Sequence, residues 1–293
     1  MNLSRIEAAV LDGLLHKLDF PITSIKCTPV GGGSINHTFR MILNGDRHYF
    51  LKVNETDKFP GMFEEERIGL EMLEAAKATR IPAVIGNLLV NSDQVLVLEW
   101  IGQGPRTSRF WKQFGEQLAA LHNVQDDQFG FTRNNFMGAL PQSNRQHADW
   151  HRFFISERLE PQLKLALDKK LLSAKEANQF EKLYTRLPQI FSPSRPVLLH
   201  GDLWSGNFLC DEQSRPVLID PAVYFGHPSI DLAMTTLFGG FDKSFYDSYN
   251  YVSPFPANFR EQWEVCNLYP LLVHLNLFGE SYRPDSLNTI RRY

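Results

Sequence analysis

LLHGDLWSGNFLCDEQSRPVLIDP, residues 198–221, is the stretch on which the fold turns. Two short apolar runs end in carboxylates, Asp202 and Asp220, and Asn207 follows Asp202 by five positions. Apolar runs of this length, bounded by Gly, Asp and Pro, read as short strands or strand-like turns. Both acids then stand where a buried strand opens into a polar loop. Phosphoryl transfer needs groups there: one carboxylate to orient an acceptor hydroxyl, and a second, with an amide oxygen, to hold Mg²⁺ against ATP phosphates. The competing reading is turn chemistry alone, since Asp, Gly and Asn all favour turns.

Upstream segments bear on that choice. Residues 22–30 read as a strand and lead into Gly31, Gly32, Gly33 and Ser34; 37–43 and 47–53 alternate around an Asn44-Gly45 turn. A glycine loop between strands lets backbone N–H groups approach phosphate, although a bulge or a flexible hairpin has the same composition. Lys52 falls near the end of the third strand, on the face of Phe50 and Asn54, with Tyr49, Leu51 and Val53 opposite. It reads either as a solvent lysine or as a phosphate ligand that needs a carboxylate partner. Phe63, Glu66, Leu70 and Leu73 recur at helical spacing, which sets Glu66 on or beside a buried stripe, as that partner or as an edge residue. Glu64, Glu65 and Glu71 read as solvated. Residues 88–90 and 95–100 read as strands, the second breaking into a Gly-containing loop suited to a hinge near residue 102.

Beyond the hinge the pattern is helical, at 110–122, 150–167, 174–187, 230–238 and 263–277, and the last residues read as frayed. The first residues form an amphipathic helix through Leu3, Ile6, Val10, Leu14 and Leu18, with Glu7 and Asp12 arguing against a secretory signal. The 293 residues carry 30 basic and 33 acidic side chains, a net charge of −3, and no apolar run of membrane-spanning length. Neither nucleic acid nor a membrane is an expected partner. Cys27, Cys210 and Cys266, widely spaced, read as reduced thiols of a cytoplasmic protein rather than a zinc site.

With these parts in order the chain resembles the protein-kinase-like fold in its small-molecule branch, and there the fructosamine kinase (ketosamine-3-kinase) family. The likeness rests on GGGS at 31–34, Lys52, Glu66, the hinge Glu99-Trp100-Ile101, HGDLWSGN at 200–207 and Asp220, and it spans nearly the whole chain. The Trp-Ser pair of HGDLWSGN is usually missing from aminoglycoside and choline kinases. FGF…GALPQSN…W…F…R…PQ (129–162) and DPAVYFGHPSIDLAM (220–234) also match. The resemblance implies an α+β fold of two lobes: residues 1–101 with an antiparallel sheet and a helix, and residues 102–293, mainly helical. It implies Asp202 as catalytic base, Asn207 and Asp220 as Mg²⁺ ligands, and Lys52, held by Glu66, on the ATP phosphates. Gly31 to Ser34 would cover those phosphates, and the backbone around Glu99, Trp100 and Ile101 would meet adenine. His200 would brace the catalytic loop, Asp231 would tie it down, and Trp204 would lie at the sugar, unless it is only a core aromatic between the lobes. Asp202 needs only to be ionised, with no large pKa shift, because proton loss is late in a loose transition state.

The implied reaction is ATP- and Mg²⁺-dependent phosphorylation of the 3-hydroxyl in ketoamine adducts of ribulose, erythrulose or fructose, free or on protein, leading to deglycation. The enzyme would be a monomer or homodimer. A kinase of an aminoglycoside or choline-like compound and a nucleotide-binding pseudokinase scaffold are the alternatives. The sequence shows no acidic cluster for a polycation, and intact Lys52, Asp202, Asn207 and Asp220 speak against a scaffold. Asn36 replaces the third glycine of the protein-kinase loop at small cost. Ser34 stands where some relatives have cysteine, so redox control there is not expected. Pro221 stiffens the metal loop against a flipping switch, and no long activation segment follows.

Overall fold

The computed structural model describes residues 3–14, 18, 20–31 and 35–293. Alternation in the first third of the chain becomes a five-stranded antiparallel sheet. Helix α1 (Leu3–Leu14) precedes β1 (Ile25–Pro29), β2 (His37–Leu43), β3 (Arg47–Glu55), α2 (Met62–Ala75), β4 (Val84–Val90) and β5 (Asp93–Glu99). The spatial order is β1-β2-β3-β5-β4. Asn44 and Gly45 both have positive φ, 53° and 86°, the geometry that a type I′ turn requires. The expected continuation of α1 to Leu18 crosses residues 15–17, which lie outside the described residues.

The sheet buries both faces, and this decides where Lys52 points. Phe39, Met41, Leu51, Val53, Val95 and Val97 pack on one side with Val10 and Leu14 of α1. Leu96 and Leu98, on the other side, join Phe63, Leu70 and Leu73 of α2 in a core continuous with the helical lobe. Lys52 lies on this inner face and is 3% exposed.

The helical lobe begins with α3 (Ser108–Leu121) and a short hairpin, β6 (Asn135–Met137) and β7 (Leu140–Gln142). α4 (Trp150–Phe153) then runs through a π-helical turn into α5 (Glu160–Asp168), followed by α6 (Ala174–Ala177) and α7 (Phe180–Ile190). Next come β8 (Val197–Leu199), β9 (Phe208–Cys210), β10 (Pro216–Leu218) and β11 (Tyr224–Gly226). The chain closes with α8 (Ser229–Met234), α9 (Lys243–Val252), α10 (Phe259–Cys266), α11 (Leu268–Phe278) and α12 (Arg283–Ile290).

Several helices differ from expectation for identifiable reasons. The 230–238 helix stops at Met234, where the Thr235 and Thr236 hydroxyls bond the carbonyls of Leu232 and Ala233 and compete with the backbone ladder. The 263–277 helix breaks at Asn267, because Pro270 has no N–H to continue the ladder. The 174–187 segment is two helices, and the expected 150–167 helix contains the π turn of residues 154–159. The end of the chain is not frayed: α12 buries Leu287 and Ile290.

The π turn directs Glu157 and Arg158 inward. The fully buried Arg158 guanidinium lies 4.0 Å over the Tyr224 ring and 4.6 Å over Phe153. It donates to Ser143 O and to Asn144 Oδ1, the latter at 2.7 Å, and makes no ion pair among the described residues. Arg158→Met keeps the bulk but strands both acceptors. It is expected to cost roughly 3 kcal/mol, readable as a lower urea midpoint at unchanged m-value.

Candidate active site

The two loops of the 198–221 stretch face each other because their flanking strands pair. β9 pairs with β10 and β8 with β11, both antiparallel. The 200–207 loop therefore lies against 219–223, stitched by Ala222 N–H to His200 O (2.9 Å) and Ile219 N–H to Asn207 O (3.1 Å). Gly201 has φ +82°, and a Cβ there would stand 2.1 Å from the Ala222 carbonyl oxygen. Only glycine fits.

Asp231, buried in the first turn of α8, accepts from the backbone N–H groups of His200 (2.8 Å) and Gly201 (2.9 Å). His122 at the end of α3 reaches the same carboxylate at 3.3 Å and the Tyr249 hydroxyl at 2.8 Å. His200 accepts the Asp202 N–H on Nδ1 (3.3 Å), so its Nε2 carries the hydrogen donated to Ile219 O (2.9 Å). Burial lowers its pKa and keeps the ring neutral, against the pull of Asp231.

The carboxylates converge on this frame. Asn207 Nδ2 donates to both Oδ2 and O of Asp202, each at 2.8 Å. Burial pushes the Asp202 carboxyl up to about 7, with Asp220 and Asp231 adding to the rise and the Asn207 hydrogen bond opposing it. This shift is larger than the sequence reading required, because the fold buries the carboxyl and sets two further acids, Asp220 and Asp231, near it. Asp220 adopts φ +55°, a left-handed conformation that Asp tolerates better than bulkier residues. Lys52 Nζ bridges the lobes: it bonds Glu66 at 2.7 and 2.9 Å and Asp220 Oδ1 at 2.8 Å. Burial works against the ammonium, but the two carboxylates outweigh it and hold its pKa above the ordinary range.

This arrangement sits in a chain that the fructosamine kinase family model matches over residues 8–293. The chain belongs to the fructosamine kinase family. A "probable ketoamine kinase" of Enterococcus faecium is 39% identical over 259 residues, 88% of this chain and 91% of that one. The chloroplastic protein-ribulosamine 3-kinase of Arabidopsis thaliana is 35% identical over 277 residues, 92% of this chain and 82% of that one. The crystal structure of a protein put forward as a fructosamine-3-kinase from Thermobifida fusca superposes with a TM-score of 0.86, at 31% identity and 97% coverage of both chains. Like its family, the chain is an ATP-dependent phosphotransferase with the two-lobe kinase-like fold.

Other residues expected at this family's site are placed less centrally. Gly31 is exposed, while Gly32, Gly33 and Ser34 lie outside the described residues. At the hinge, Glu99 N–H is bonded to Ala83 O (2.9 Å). Its side chain pairs with Arg80 at 2.5 Å, and Arg80 also meets Asp211 at 2.7 Å. Trp100 lies under the Arg40 guanidinium (4.8 Å) and 6.4 Å from Phe50, and Ile101 is buried. Trp204 is half-buried, packed on Gly206, where a Cβ would stand 2.4 Å from its ring.

The resemblance implies a divalent cation beside the ATP, and two side chains would fit one. Asn207 Oδ1 and Asp220 Oδ2 accept no hydrogen bond from the described residues, and the Asp220 side chain is 40% exposed. No group of three His, Cys, Asp or Glu that could hold a metal occurs among the described residues. Two protein oxygens with the remainder from phosphate and water is the usual Mg²⁺ arrangement.

Sequence reading missed the braces around this site. Glu65, read as solvated, pairs bidentately with Arg133 across the lobes (2.6 and 3.1 Å). Asn135 and Gln142 of the β6–β7 hairpin donate to the Val223 and Ala222 carbonyls at 2.9 and 3.3 Å. Gln142 lies in the GALPQSN segment of the resemblance, whereas Asn135 stands before it and carried no signal of its own.

Proposed function

We propose that this enzyme transfers the γ-phosphoryl of ATP·Mg²⁺ to the sugar 3-hydroxyl of ketoamines, and that the unstable product sheds its sugar, so that the reaction serves protein deglycation. The observation that carries the phosphoryl-transfer reading is Lys52 joined to both Glu66 and Asp220, with Asp202 and Asn207 on the facing loop. The ketoamine acceptor is supported by the relatives and by Trp204 two positions after Asp202. In this reading Asp202 accepts the hydroxyl proton, Asn207 holds Asp202 in place and offers its Oδ1 to the metal, and Asp220 is the second metal ligand. The metal, when bound, neutralises charge on the phosphates. Positioning and charge supply most of the rate.

The test is an ATP-consumption panel of ribulose-, erythrulose- and fructose-lysine with an aminoglycoside control, the product located by phosphorus NMR. A 3-phosphate on at least one ketoamine is the expected result. Turnover of the aminoglycoside alone, or of none, would overturn the proposal.

The raised Asp202 carboxyl sets a pH dependence. Protonated Asp202 cannot accept the hydroxyl proton, so kcat/KM is expected to fall as pH drops through about 7, approaching tenfold per unit below it. A kcat/KM flat from pH 8 to 5 would contradict the role given to Asp202.

A further inference from the structure

A ring surface continues outward from Trp204, built from elements far apart in sequence. Phe238 meets the Trp204 ring edge-on, centroids 5.9 Å apart at 83°. His274 of α11 lies 4.7 Å from Phe238, and Tyr282 lies 5.1 Å from His274 and 6.4 Å from Phe238. Phe278 flanks His274 at 5.5 Å and Tyr282 at 6.0 Å.

Two features mark this surface as more than core packing. Phe238 is 40% and Phe278 51% exposed. Phe238 also has φ +53°, a conformation that costs a bulky residue and persists only where its surroundings enforce it. Here the Ser205 hydroxyl, one residue beyond Trp204, donates to the Phe238 carbonyl at 3.3 Å. The catalytic loop itself therefore holds a strained, exposed ring beside Trp204.

A ketoamine carries its own demand. Its secondary amine is bonded to the sugar C1, close to the 3-hydroxyl, and is protonated at neutral pH. Wherever Asp202 takes the hydroxyl, that ammonium lies nearby and loses water. A desolvated cation is stabilised by carboxylates or by aromatic faces. None of Trp204, Phe238, His274, Phe278 and Tyr282 is a carboxylate. His274 carries its hydrogen on Nδ1, donated to Pro270 O at 2.7 Å, and burial lowers its pKa, so no cation of the ring set repels the ammonium. Its Nε2 accepts nothing from the described residues.

We propose that Phe238, His274 and Tyr282 form the subsite for the protonated amine of the ketoamine, holding it on ring faces beside Trp204, with the carrier chain leaving over Phe278. This inference rests on the ketoamine reading above. It makes the amine, and not the sugar alone, a determinant of specificity, and it makes neutral sugars of the same shape poor substrates.

The experiment pairs each ketoamine with its neutral ether analogue, an oxygen in place of the amine nitrogen, and compares kcat/KM in the wild type, Phe238→Leu and Tyr282→Leu. The wild type should prefer the ketoamine. Each variant should lower that preference about tenfold, through KM rather than kcat, with KM for ATP unchanged. Because the readout is a ratio within one protein, partial loss of folded enzyme cancels, and Tyr282→Leu stands in if Phe238→Leu does not fold. Equal losses on both substrates, or an unchanged preference, would overturn the subsite while leaving the ketoamine reading intact. No turnover of any ketoamine by the wild type would overturn both.

Discussion

Asp202→Asn is expected to lower kcat by at least about a thousandfold while ATP affinity stays within a few-fold of wild type. The substitution is close to isosteric, and the Asn207 amide that holds Asp202 Oδ2 at 2.8 Å still has a carbonyl oxygen to bond. The loop frame survives as well, since Gly201 and His200 are held through backbone groups by Asp231. What is lost is the negative charge that orients the acceptor hydroxyl and takes its proton, a contribution of roughly 4 kcal/mol for a group essential to positioning and proton transfer. Single-turnover kinetics with nucleotide binding measured in parallel separates the two effects. A variant with near-normal kcat would remove Asp202 from the chemistry.

Asp220→Ala is expected to abolish turnover by a different route. It deletes one of the two oxygens suited to the cation, so Mg²⁺-dependent nucleotide binding should weaken by about a hundredfold or more, and added Mg²⁺ should no longer improve affinity. It also cuts the 2.8 Å link from Lys52, leaving the ammonium with Glu66 alone. The result is distinct from that of Asp202→Asn: here binding and kcat fall together. Binding that keeps its full Mg²⁺ dependence in Asp220→Ala would show the metal assignment to be wrong.

The strand ends that carry these acids were legible because apolar runs closed by Gly-Asp and Asp-Pro are local patterns. Lys52 and Glu66 were legible as candidates, one by strand alternation and one by helical spacing. What made them partners was the burial of both sheet faces, and no window of sequence shows that α1 covers the outer one. The shifted pKa of Asp202 could not be read either, because it depends first on tertiary burial and then on Asp220 and Asp231, eighteen and more positions away, folding near it. Phe238 was the hardest case: periodicity placed it at the end of a helix, but the threonine hydroxyls at 235 and 236 end that helix early and leave the ring in a left-handed turn. Arg133, Asn135 and Gln142 lie in a segment without periodicity, where only tertiary partners give the side chains meaning.

The β6–β7 hairpin has a consequence for how such an enzyme is governed. Asn135 and Gln142 clamp the carbonyls that follow Asp220, and Arg133 on the strand's approach grips Glu65 on α2. From beneath, Gly69 of α2 rests on Pro221 and Val223, where an added Cβ would find atoms at 3.3 and 3.4 Å. The helix that presents Glu66 is thus fenced from two sides by the loop it serves. The consequence is one of coupling: the seat of Glu66, and through it of Lys52, is tied to the seat of the loop after Asp220.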